Sequence, residues 1–186
     1  MSIGFWTVRS LVAAILISTG SPAQAQDSSW GDVSVSTGRM DFDLNGTGHA
    51  PGVAVRAKRH FSPHLALEVG GAYARYCGYR SVTGGECLPS QQDGTTSLFM
   101  PEAQLQYRWN IGRVSPYVGG GMGLSRRGGQ NFSRWDPTFS TAVGAAVYVT
   151  DRLGITGEFR LRGHETRFTG TTSEVSAGLA WRFPRF

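Results

Sequence analysis

Four glutamates and six basic residues stand at alternate positions within otherwise apolar stretches: Glu68, Glu102, Glu158 and Glu174, with Arg56, Lys58, Arg108, Arg160, Arg162 and Arg182. Charges confined on one side of a strand, with little water, are expected to pair, because a buried charge left alone is strongly unfavourable. The set predicts a salt-bridge network centred on Glu102, Glu158, Arg160 and Arg162. Two cysteines, Cys77 and Cys87, lie close together in a polar, glycine-containing stretch. In an exported chain they are expected to form a disulfide that pins one loop, and a metal site would need more ligands nearby. His60 and His64 flank an expected turn and read as solvated side chains. The run from Tyr117 to Leu124 has the glycine density of a phosphate loop but lacks the lysine and the following helix that such a loop needs. Glycine on one face of a strand makes room for large neighbours instead.

The elements that must carry these residues are strands. Successive strand residues point to opposite sides, and eight segments alternate accordingly: 30–41, 51–61, 65–77, 95–109, 115–125, 138–149, 153–165 and 172–183. The fourth places Phe99, Ala103, Leu105, Tyr107 and Trp109 on one side, with Met100, Glu102, Gln104, Gln106 and Arg108 on the other. The seventh sets Leu153, Ile155, Phe159 and Leu161 against Thr156, Glu158, Arg160, Arg162 and His164. Connections alternate in length as well. They are tight at Ser62-Pro63-His64, Asn110 to Arg113 and Thr150-Asp151-Arg152, and longer at 42–50, 78–94, 126–137 and 166–171. A soluble sheet would turn its apolar face inward. A transmembrane barrel does the reverse, and it also sorts its connections into short turns and long outer loops. Charges at these positions would not face lipid, so they point into a lumen. The fold class expected is all-β, an eight-stranded antiparallel up-and-down transmembrane β-barrel.

Composition agrees with export and with β-structure. Met1 to Ala25 reads as a cleaved secretory signal peptide, with Arg9 as its positive end, Leu11 to Ile17 as its apolar centre and Ala23-Gln24-Ala25 as its cleavage site. Residues 26–186 make one barrel domain. The chain has 18 basic and 13 acidic residues; removing Arg9 leaves 17 against 13, a balance of +4. Export argues against a nucleic-acid partner, and anionic lipid headgroups or surface polysaccharide suit the charge better. No cofactor is expected.

The last strand carries a resemblance. Val175, Ala177, Leu179, Trp181 and Phe183 share its apolar face, while Ser176, Gly178, Trp181 and Phe183 occupy the fixed positions of a pattern similar to the C-terminal signal read by the barrel assembly machinery. Pro184-Arg185-Phe186 follow where the aromatic usually ends the chain. With the turn Val149 to Gly154 and the following Glu158-Phe159-Arg160, the chain resembles the small eight-stranded bacterial outer-membrane β-barrels of the OmpA membrane-domain and OmpX type. The resemblance implies a monomeric barrel in the outer membrane, among lipid and lipopolysaccharide, without implying one activity.

Three function classes follow from that resemblance. One is a structural or surface-interaction barrel, for which Arg126, Arg127, Arg134 and Trp135 in the third long loop are candidate contacts, since arginine pairs bidentately with phosphate. Another is a small pore, opposed by an eight-stranded interior that side chains fill. The third is a lipid A hydrolase similar to PagL-like deacylases, in which His164, Thr166 and Glu174 would act together; Thr in place of Ser and the short spacing to the glutamate depart from that pattern. The reading adopted is the first, with no enzymatic activity.

Overall fold

The structure is a computed structural model, and it describes residues 29–43, 47–77, 95–129, 132–164 and 170–184. Eight strands close into one antiparallel barrel in chain order: β1 Ser29–Asp43, β2 Thr47–His60, β3 Leu65–Cys77, β4 Thr95–Arg108, β5 Val114–Gly129, β6 Phe132–Tyr148, β7 Leu153–His164 and β8 Gly170–Pro184. Each strand pairs with its sequence neighbour. The β1–β8 seam completes the cylinder, running from Asp32 opposite Arg182 to Asp43 opposite Thr171. A closed barrel leaves no edge of unpaired amides, which is what lets strands cross a bilayer.

The two-residue period sets the wall. On β7 exposed and buried residues alternate along almost the whole strand. Outward positions carry Val35, Val55, Leu105, Val143, Ile155, Phe159 and Leu179, all of them exposed, while Arg160, Arg162, Gln106 and Glu68 are almost wholly buried. That inversion of the soluble pattern is the signature of a lipid-facing wall around a polar interior. Toward one end Tyr107, Trp109, Trp181 and Phe183 face out, with Tyr107 and Trp109 edge to face at 5.0 Å, in the manner of an interfacial aromatic girdle.

The same end carries the three short turns. Ser62 Oγ accepts the amides of His64 and Leu65 at 3.2 and 3.0 Å, and Thr150 Oγ1 accepts those of Arg152 and Leu153 at 3.3 and 2.9 Å. Such local side-chain acceptors close turns cheaply. Between β4 and β5, Gly112 takes φ 61°, a conformation open to glycine.

The eight strands expected from the sequence are all present, and two stretches expected as long loops differ: 42–50 is largely strand, since β1 runs on to Asp43 and β2 begins at Thr47, and 126–137 is the second. The stretch 126–137, expected as a long loop, is mostly strand: β5 runs on to Gly129 and β6 begins at Phe132, with Arg126 opposite Trp135 and Arg127 opposite Arg134. The expected signal peptide, Thr166 and Cys87 lie outside the described residues, as does the side chain of Cys77.

Candidate functional site

The inward side chains of all eight strands meet in the lumen, and their contacts sort into three tiers. The middle tier is ionic. Arg160, on β7, is fully buried; its Nε donates to Glu158 Oε1 at 2.8 Å, and its terminal nitrogens bond Glu102 on β4 and Glu68 on β3. Arg162 Nη2 bridges Glu102 at 2.7 Å and Glu174 at 2.8 Å. From β2, Arg56 donates to Glu174 at 2.7 Å and to Ser36 Oγ at 2.9 Å, and it lies 3.4 Å from Glu158. Lys58 Nζ sits 3.3 Å from Glu68 and 4.3 Å over the Tyr117 ring. Gln106 Nε2 adds a 2.9 Å bond to Glu68.

The wall makes room for these groups. A Cβ at Gly70 would stand 2.9 Å from Arg56 Cγ, and one at Gly144 would stand 2.6 Å from the Tyr117 hydroxyl oxygen. In the sense that matters here the middle tier is balanced: Glu68, Glu102, Glu158 and Glu174 interlock with Arg56, Lys58, Arg160 and Arg162. Desolvated ions are tolerated when each is paired and further hydrogen-bonded.

Arg108 and Arg182 stand apart from that network. They belong to a second tier at the short-turn end, with Asp32, His60 and Tyr148. His60 Nε2 is 2.9 Å from Asp32 Oδ2 and 2.8 Å from Arg108 Nη1, Tyr148 donates its hydroxyl to Asp32 at 3.3 Å, and the Arg182 guanidinium lies 3.4 Å from the Tyr148 ring centroid. His60 therefore departs from the sequence expectation, since its side chain is only 8% exposed. Its position on the inner face of β2, in step with Arg56 and Lys58, turns it away from solvent. His64 does sit at the surface, stacked on Tyr107 at 5.8 Å.

The third tier lies toward the loop end and is divided. Met40, Phe42, Leu98 and Met100, with small alanines, form an apolar sector inside β1–β4, so the inner face is less uniformly polar than the sequence suggested. Across from it His164 is fully buried, its Nδ1 2.9 Å from Ser125 Oγ and its Nε2 2.7 Å from Thr172 Oγ1. Glu174 is turned to Arg56 and Arg162. The described members of the hydrolase-like set are thus engaged elsewhere.

The four residues considered for surface contact separate. Arg126 faces outward on β5, its Cζ 5.8 Å from the Trp135 ring centroid and its Nε donating to Ser133 Oγ at 3.2 Å. Arg134 is exposed at the rim and donates to Asp136 at 2.6 Å. Arg127 points inward instead, 8% exposed, with its Nε 3.1 Å from Asp136 Oδ2. Strand parity explains the split, since neighbours on β5 face opposite sides. On β8, Trp181 and Phe183 face out, and Ser176 and Gly178 take inward positions against β1. Asp32, Tyr117, Tyr148 and Asp136 escaped the sequence reading, although each shares the inward parity of its strand.

The arrangement can hold charge and fill space. Comparison with known proteins agrees with its architecture. A family model described as outer membrane protein beta-barrel domain matches residues 10–183. Among solved structures, the Neisserial surface protein A is similar at 19% identity and TM-score 0.64, over 84% of this chain and 99% of that one. The outer membrane protein OprG from Pseudomonas aeruginosa is similar at 11% identity and TM-score 0.54, over 86% and 99%. The Yersinia pestis outer membrane protein Ail in a phospholipid bilayer nanodisc is similar at 18% identity and TM-score 0.52, over 82% and 99%. No curated protein matched.

Proposed function

The chain belongs to the outer membrane protein β-barrel domain family and resides in the bacterial outer membrane, and on that premise we propose that it serves as a closed, monomeric scaffold whose outer rim contacts lipopolysaccharide. The observation that carries this reading is Arg160. A fully buried guanidinium bonded at once to carboxylates from β3, β4 and its own strand spans the lumen at a depth where a conducting path would need water. Eight strands enclose a space that side chains can fill. At the rim, Arg126 beside Trp135, with Arg134 exposed nearby, offers an aromatic surface and guanidinium groups to a phosphorylated glycolipid.

Hydrolysis of lipid A is the less supported alternative: His164 is occupied by two hydroxyl groups and Glu174 by two arginines. The signal peptide and the β8 signal at Ser176, Gly178, Trp181 and Phe183 fit delivery to the assembly machinery. Planar-bilayer recording tests the scaffold reading. Purified protein is expected to add no steady conductance and to retain lipopolysaccharide through detergent extraction, with less retained by Arg126→Ser. A sustained open current from the wild-type barrel would instead make it a pore.

A further inference from the structure

Charge pairing closes at the centre of the lumen and does not close at its short-turn end. In the middle tier Glu68, Glu102, Glu158 and Glu174 answer Arg56, Lys58, Arg160 and Arg162 one for one. Among the described inward residues at the mouth, Asp32 faces both Arg108 and Arg182, which leaves one positive charge over. Asp32 itself is taken by His60 and by the Tyr148 hydroxyl. Arg108 is bonded to His60, and among the described residues neither arginine has a carboxylate within ion-pair distance.

Arg182 is the more telling of the two. It is only 8% exposed, and its Nε is buried with no hydrogen-bond partner among the described residues. Its guanidinium lies over the Tyr148 ring at 3.4 Å. A stacked guanidinium keeps its N–H donors along the edge of its plane, where they are free to take a ligand. Arginine does not deprotonate in proteins, so the site has no way to shed its charge, and an uncompensated charge in a desolvated place is strongly unfavourable. The ligand that answers such an edge is an oxyanion, whose paired oxygens match the guanidinium fork.

We propose that the short-turn mouth of the lumen binds one small oxyanion of the phosphate class, held by Arg182 and Arg108, with Tyr148 as the platform beneath Arg182. His60 and Asp32 link the two arginines' supports, since His60 contacts both Arg108 and Asp32, and Asp32 accepts from the Tyr148 hydroxyl. A free phosphate and the phosphodiester of a lipid headgroup fragment share this chemistry.

The test uses protein purified from outer membranes in maltoside micelles, with folding verified by heat-modifiable migration, and titrates it with inorganic phosphate followed by 31P NMR line broadening. Wild type is expected to show saturable broadening at one phosphate per barrel, unchanged by an equal concentration of chloride. Arg182→Gln is expected to weaken it by about tenfold or more, the scale of a lost charge-assisted hydrogen bond. Arg108→Gln should act in the same direction. Arg113→Gln, an exposed turn arginine at the same end, should leave binding as it is. Competition by glycerophosphoethanolamine, a phosphodiester, would identify a lipid headgroup as an acceptable source, and its failure would restrict the site to free phosphate. Absence of saturable broadening in wild type overturns the inference. So does binding that survives Arg182→Gln, or that Arg113→Gln reduces equally. Should Arg108→Gln fail to fold, Arg182→Gln decides alone, because Arg182 rests on the Tyr148 ring and takes no part in the central network.

Discussion

Tyr117 on β5 donates its hydroxyl to Glu158 on β7 at 2.6 Å, reaching across β6 at Gly144, the residue paired with both. The bond exists because position 144 has no side chain: a Cβ there would stand 2.6 Å from the hydroxyl oxygen. Gly144→Val should therefore displace the ring and destabilise the barrel by about 1–3 kcal/mol, the usual cost of overpacking. The midpoint of urea unfolding from lipid vesicles reads this directly. An unshifted midpoint would mean that the ring has another place to lie.

Glu102 accepts from both Arg160 and Arg162, so Glu102→Gln removes a charge on which two buried guanidinium groups depend. Breaking a buried pair at one partner costs about 3–5 kcal/mol. The expected result is a lower temperature for the heat-induced mobility shift, with a smaller loss for Tyr117→Phe, which removes one hydrogen bond to a carboxylate worth about 1.5–3 kcal/mol. Equal effects from the two variants would contradict the central place given to Glu102.

Val143 faces outward, 51% exposed, between inward Ala142 and inward Gly144 on β6. Val143→Arg places a cation on the lipid wall and should cost about 2–4 kcal/mol if the site lies near the bilayer midplane. Vesicle refolding yield and the unfolding midpoint both report it. Tolerance of arginine there would show the register of β6 to be inverted.

Cys77 and Cys87 are expected to be joined. Closing so short a segment contributes at most about 3 kcal/mol in the chain-entropy account, so reduction should lower stability modestly without unfolding the barrel. Alkylation of intact, unreduced protein followed by mass spectrometry should find no free thiol. Two alkylated cysteines would rule out the bridge.

Face assignments were legible in the sequence because lipid and lumen impose opposite demands at a two-residue period: Leu105 and Gln106, or Leu161 and Arg162, differ in chemistry as sharply as in surroundings. The ends of β5 and β6 were not. Residues 126–137 look like a loop by composition, yet strand pairing holds Arg126 opposite Trp135, and Arg127 finds Asp136. Those partners are visible only once the hairpin is in register. Parity also says nothing of depth. Arg108 and Arg182 share an inward face with Arg160 but lie at a different height in the cylinder, because strand tilt and stagger decide which inward residues meet. The single network expected from ten charges therefore divides into a neutral middle and a basic mouth. His60 was missed for the same reason, lying close enough to a turn to look solvated while facing in.

The central ion pairs join residues far apart in the chain. Arg56 of β2 meets Glu174 of β8, and Glu68 and Glu102 of β3 and β4 meet Arg160 of β7. A partly assembled wall would hold several of these charges without their distant partners, because contacts of such sequence separation must first overcome the entropy of loop closure. Arg56 and Glu174 face each other across β1, the strand that meets β8 at the seam. A sheet that shut one pair out of step there would turn one of these charges toward lipid. Pairing the first and last strands in register and satisfying the interior charges are thus one and the same requirement, and the ionic centre ties the register of ring closure to the lumen.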